Sequence, residues 1–289
     1  MIHPVMSKKS RRILFYMALA LFLVLSYTTL LYAQGYKYSF ASGKFIKTGS
    51  IYLKSSAGAR VYLNGSYEGD TSFLGDSFTI SKLLPNKYRV ELSGENYSKW
   101  VKDITVSEGL VSDFRHVIIL PTDETSKAQL RAEIDKIFTT PAFSPMAKIS
   151  STPVVKKKTI KPTPTSTPTF SENAPVILFS GKLLRSQDGQ TKEIDSGVTG
   201  FAFSPNRNKV TWRNTNNEVW VIWLKDMDYQ PHKKDGDTEK ISRFGQTVNR
   251  VGWFRGDDHI VVEFKNKNAS SSYQILETDT RGGVNAVDF

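Results

Sequence analysis

The chain has 289 residues, and its 39 Lys and Arg against 28 Asp and Glu give a formal charge of +11. That length suits about two domains, and the absence of cysteine excludes disulfides, thiolate nucleophiles and cysteine-held metals. Positive charge gathers at Lys8, Lys9, Arg11 and Arg12 and again at Lys156, Lys157, Lys158 and Lys161, not in a groove interleaved with aromatics, so nucleic-acid binding is not expected.

Residues 13–33 read ILFYMALALFLVLSYTTLLYA, and no charge stands between Arg12 and Lys37. A helix of that length spans a hydrocarbon core about 30 Å thick. The four basic residues before it favour a cytoplasmic segment at 1–12, a single-pass signal anchor at 13–33 and an extracytoplasmic remainder. Tyr16 and Tyr32 sit near the ends, as interfacial aromatics do. Lys37, Lys44 and Lys47 weaken the charge asymmetry. The alternative is a signal peptide cut after Leu31-Tyr32-Ala33, but the apolar run exceeds the usual core of about 7–15 residues.

Residues 48–121 carry short strands at close spacing. Ile51 and Leu53 alternate with polar neighbours, as do Val61 and Leu63 before the Asn64-Gly65 turn. Phe78 and Ile80 share one face, as do Tyr88, Val90 and Leu92, and Trp100, Ile104 and Val106 read as core. Many short strands without helices predict a small antiparallel sandwich. The stretches SSAGARVYLNGSYEGDTS and LLPNKYRVELSGENYSKW resemble the PEGA domain. The resemblance rests on Gly58, Ala59, Val61, Leu63, Gly65, Gly69, Thr71, Leu84, Tyr88, Val90, Tyr97 and Trp100. Ser56-Ala57 stand for Pro-Glu, Ser72 for a proline, and Asn86 and Asn96 for glycines; Asn tolerates the left-handed turn conformation next best. The resemblance implies a non-catalytic extracytoplasmic module. Gly58, Ala59 and the Asn64-Gly65 turn then read as scaffold, with residues 66–76 as the alternative ligand-touching loop.

At 123–138, Leu130, Ile134, Ile137 and Phe138 recur at helical spacing behind acidic residues. This short helix is expected to pack on the sandwich or against a partner. Residues 139–175, rich in Pro, Thr and Lys, read as a disordered, extended spacer.

Residues 176–289 repeat. VTGFAFSPNRNKVTW from Val198 aligns without a gap with VNRVGWFRGDDHIVV from Val248, 50 residues on. VWVIWLKD matches SYQILETD, QTKEI echoes DTEKI, and ILFSGKLLRSQDG looks like the middle of an earlier unit. FAFSPNRNKVTW resembles the blade motif of TolB-like and WD40-like β-propellers, with Asn206 for Asp and Arg207 for Gly. About two and a half units are visible, where a closed propeller needs about four to eight blades. The module is therefore truncated, open or completed by a partner, and edge strands near Pro175 and at 284–289 are candidates for self-association.

The fold class expected is mainly β: a transmembrane helix, a small PEGA-like sandwich, a short helix and linker, and incomplete propeller-like repeats. No nucleophile elbow, zinc-protease motif or phosphate loop is present. Asp257-Asp258-His259 is a poor metal set, because adjacent turn residues rarely converge on one ion. Trp212, Trp220, Trp223 and Trp253 are the candidate ligand or partner surface; their strand positions also suit a core. No catalytic, cofactor or metal site is expected. The function expected is non-enzymatic binding or scaffolding at the cell envelope, with an envelope protein or polysaccharide as partner. The alternative is an accessory or sensor subunit that docks through the repeat module.

Overall fold

The computed structural model describes residues 7–72, 75–139, 170, 175–266 and 270–288. The fold is mainly β, and the contacts divide it into two units: Met1–Ser93 with Val101–Ile118, and Gly94–Trp100 with Ile119–Phe289. Most of the 139–175 spacer lies outside the described residues.

The first unit opens with α1 (Lys8–Ala33), capped by the Ser7 side chain, which accepts from the Ser10 amide. Its apolar stretch has a mean hydropathy of 2.1, and none of its residues is buried. The helix is thus long and apolar enough to cross a membrane. Thr28 and Thr29 donate to the carbonyls of Val24 and Leu25 within the helix, which satisfies both hydroxyls without water. An unanticipated hairpin follows, β1 (Tyr36–Ser39) with β2 (Lys44–Lys47). Tyr38 meets Phe40 and Phe45 edge-on.

Two small sheets make the sandwich. One orders β6 (Ser77–Leu83), β3 (Gly49–Ser55) and β9 (Val111–Val117). The other orders β5 (Ser66–Asp70), β4 (Arg60–Leu63), β7 (Asn86–Ser93) and β8 (Trp100–Val106). Alternate residues point inward, so Ile51, Leu53, Val61, Val90 and Leu92 are fully buried. One pair departs from the antiparallel expectation: β3 and β9 run parallel. The chain changes sheets between β8 and β9, so β9 enters beside β3 in the same direction.

The Asn-Gly turn forms as its chemistry requires, with φ of 50° at Asn64 and 85° at Gly65. Asn64 also exchanges bonds with Arg89 on β7: its amide donates to the Arg89 carbonyl, and its side-chain oxygen accepts from the Arg89 amide. Ala59 is gripped from both sides. Its amide donates to the Thr71 hydroxyl, and its carbonyl accepts from the Thr71 amide. Asn96 takes the left-handed conformation at φ 60°, whereas Asn86 simply opens β7.

In the second unit, α2 (Glu124–Thr139) starts where Asp123 Oδ1 accepts from the Ser126 amide. Three antiparallel meanders then follow. They are β10 (Val176–Phe179), β11 (Lys182–Gln187) and β12 (Gln190–Ser196); β13 (Val198–Phe203), β14 (Lys209–Asn214), β15 (Glu218–Trp223) and β16 (Thr238–Arg243); and β17 (Val248–Trp253), β18 (His259–Lys265), β19 (Ser271–Glu277) and β20 (Ala286–Asp288). Their first strands neighbour one another, β10 by β13 and β13 by β17. Two apolar clusters hold the meanders together. Val176, Leu183, Phe201, Val210 and Trp212 join the first to the second; Val221, Trp223, Val251, Ile260 and Val262 join the second to the third.

Within its unit, helix α2 has a seat of its own. Its C-terminal end lies on β17, with Leu130 and Ile134 buried. A Cβ at Gly252 would come 2.9 Å from Ile137 Cγ2, so the missing side chain lets the helix seat closely. The apolar stripe was legible; its counterpart on β17 was not.

Candidate functional site

The 50-residue repeat is also a repeat of register. Phe203 pairs with Val210 as Trp253 pairs with Ile260, and Phe201 with Trp212 as Val251 with Val262. Each β13-type strand has an irregularity two residues long at its start, at Val198/Gly200 and at Val248/Arg250. The Ser204 amide donates to the Lys209 carbonyl as the Phe254 amide donates to the His259 carbonyl.

Between these matched strands and the end of α2 lies a cavity of about 370 Å³. Phe201, Ala202 and Phe203 of β13 form one wall and Val251, Gly252 and Trp253 of β17 the other. Ile137 and Phe138 of α2, with Gly200, Pro205, Arg213 and Arg250, complete the lining. Two cross-sheet bonds fix the walls: Trp253 Nε1 donates to the Ala202 carbonyl at 3.0 Å, and Arg213 Nη1 to the Val248 carbonyl at 3.0 Å. The volume falls in the range of small-molecule pockets.

The two arginines differ. Arg250 Nε donates to Glu263 Oε2 at 2.5 Å and Nη2 to Oε1 at 2.8 Å, a two-pronged pair. Its Nη1 donates to the Phe138 carbonyl at the end of α2, where a cation suits the helix dipole. The guanidinium also lies 4.6 Å from the centre of the Phe138 ring. Glu263 accepts from Asn249 and Ser271 as well. Burial alone would raise its pKa, but the bonds from Arg250, Ser271 and Asn249 prevail and hold it at about 2. The same pairing raises the pKa of Arg250.

Arg213 occupies the position equivalent to Glu263, and Gly200 the position equivalent to Arg250. Among the described residues, Arg213 donates to the Thr199 hydroxyl, the Thr199 carbonyl and the Val248 carbonyl, all uncharged. Burial lowers its pKa, and the charge of Glu263 opposes that shift. The cavity therefore has two guanidiniums for one carboxylate, and that carboxylate is committed to Arg250.

Helix α2 is clamped over the site. Arg255 grips Glu133 at 2.9 and 2.7 Å, and the Tyr273 hydroxyl donates to Asp135. Phe138 stacks on Tyr273 at 6.1 Å. Burial, then Asp135, pushes the Tyr273 phenol up to about 12.

The four tryptophans do not form one exposed face. Trp212 is 1%, Trp223 2% and Trp253 6% exposed, so these three sit in the core, the alternative that their strand positions offered. Inward strand positions explain the burial. Trp212 Nε1 donates to Asp195 and its ring stacks on half-buried Trp220, while Lys209 and Lys233 lie over the Trp223 ring. Trp253 alone of the four lines the cavity. Asp257 and Asp258 serve as turn ties: Asp257 accepts from the Asn206 amide, and Asp258 from the Lys209 ammonium. Among the described residues no group of three or more His, Asp or Glu is placed to hold a metal. The sequence reading names neither Arg213 nor Arg250, and Phe138 only as part of the apolar stripe of α2. Their signal was present in the aligned repeats, where Gly200 and Arg213 stand against Arg250 and Glu263.

The PEGA domain family matches residues 48–117, the span of the sandwich. No curated protein and no solved structure matches the chain.

Proposed function

We propose that this chain, with its PEGA match and exposed apolar helix, is a membrane-anchored, extracytoplasmic binding protein without catalytic activity of its own. The observation that carries the reading is the lining of the cavity: apolar side chains, glycines, one proline and two arginines, with no group that exchanges a proton near neutral pH. Such a lining suits selecting and holding a ligand. The basic run Lys8, Lys9, Arg11 and Arg12 supports a cytoplasmic N-terminus.

The three meanders, with first strands side by side, support a propeller-like reading of residues 176–289, akin to TolB-like and WD40-like blades. Among the described residues the first meander has three strands where the next two have four. That difference supports pairing with an envelope partner or a second copy along this edge.

Alkaline extraction of membranes followed by intact-mass measurement tests the anchor. A membrane-retained chain that keeps residues 13–33 supports it, and a released chain starting at Gln34 overturns it. Turnover of peptidoglycan or polysaccharide that a single polar substitution abolishes would overturn the non-catalytic reading.

A further inference from the structure

The two repeats that wall the cavity differ in charge at one matched position. At one register position the third meander sets Arg250 against Glu263, and the second sets Gly200 against Arg213. The carboxylate that neutralises a guanidinium in one repeat has no counterpart in the other. A Cβ at Gly200 would approach Arg213 Nε at 3.3 Å, so the glycine gives the guanidinium room to lie across β13. Three bonds to Thr199 and Val248 hold it there. A guanidinium has five N–H donors in a rigid fork, so this set leaves donors for a ligand.

We propose that this cavity binds a small carboxylate with an apolar body, its anionic end on Arg213 and its body between Phe203, Trp253 and Phe138. The proposal rests on the binding reading above and names its ligand class. Three features select that class. One surplus positive charge matches a monoanion better than a phosphate dianion. The planar fork of an arginine suits a carboxylate. The remaining walls are aromatic and aliphatic, so a sugar or a polyol would leave its hydroxyls unpaired there. About 370 Å³ accommodates one or two residues' worth of ligand. Two sources share this chemistry: a free aromatic or branched acid, and the C-terminal end of a peptide.

The test titrates the full chain in lipid nanodiscs with N-acetylphenylalanine, with its amide, with the peptide Ala-Ala-Phe bearing a free C-terminus, and with inorganic phosphate. The acid is expected to bind at least about tenfold more tightly than the amide, the value of one charge-assisted bond. Arg213→Gln should remove that preference. Binding of the peptide would identify a chain end as the source, and its exclusion a free acid; either result sustains the proposal. Equal binding of acid and amide, no saturation by any probe at millimolar concentration, or phosphate competing as well as the acid would overturn it. The acid–amide comparison in the unsubstituted chain decides the matter even where Arg213→Gln fails to fold. These titrations read the cavity on whichever side of the membrane it lies, so a negative result leaves the anchor and topology standing.

Discussion

Arg213 lies directly across the β13–β14 pair from Gly200, and its guanidinium fills the space that a side chain at residue 200 would take. This juxtaposition makes the second meander's cavity wall cationic. Gly200→Val is therefore expected to push the guanidinium off its bonds to Thr199 and Val248. The added methyls should cost about 1–3 kcal/mol as overpacking. Denaturant unfolding of the full chain reads the loss, and an unchanged midpoint would show that the guanidinium moves aside freely.

Glu263 makes the other charge pair a pH-dependent element. Its ordinary carboxyl value of 4.5 drops to about 2 in the fold. The folded state thus holds the proton more weakly than the unfolded chain. The stabilisation is complete above about pH 4.5 and is lost as pH falls through about 2. Glu263→Gln should cost about 2–3 kcal/mol at neutral pH and flatten the decline of stability on acidification. A variant whose stability falls with acid as steeply as the parent's would contradict this assignment.

The seating of α2 rests on buried apolar contact more than on its surface ion pair. Ile134 is fully buried, whereas Arg255 and Glu133 expose 49% and 39% of their side chains. Ile134→Ala is expected to cost about 2–4 kcal/mol and Arg255→Ala less than about 1 kcal/mol. Chemical denaturation of both variants gives the order, and the reverse order would refute it.

Trp212 and Trp220 stack with their rings 13° from parallel, but only Trp212 is sealed from solvent. Trp212→Phe should cost about 1–3 kcal/mol, because Asp195 loses its indole donor in a half-buried setting. Trp220→Phe should cost less. Trp220 likewise donates to Glu218 Oε2 at 3.1 Å, so equal losses would mean that the deeper burial of Trp212 adds nothing to its bond.

Much of the β architecture was legible in the sequence. Alternation places Ile51, Leu53, Val61 and Val90 in the core, and Asn64-Gly65 makes its turn because both residues accept positive φ. The alignment of Val198 with Val248 matched the strands in register, since a period-2 pattern tolerates no one-residue slip. What escaped depends on contacts distant in sequence. The parallel entry of β9 beside β3 has no local signature. Neither has the close seat that Gly252 gives Ile137. For the tryptophans strand position was the better guide than size, and it buries Trp212, Trp223 and Trp253. The cavity's chemistry lay in two arginines that only a column-by-column comparison of the repeats would have raised.

The absence of cysteine makes the topology directly measurable. Ser66, at the exposed Asn-Gly hairpin, and Ser7, the cap of α1, each accept a single cysteine for labelling with a membrane-impermeant maleimide. In intact cells the account predicts that Ser66→Cys is labelled, and that Ser7→Cys is labelled only after permeabilisation, on a chain of full mass. Labelling of Ser7→Cys and protection of Ser66→Cys in intact cells would contradict it.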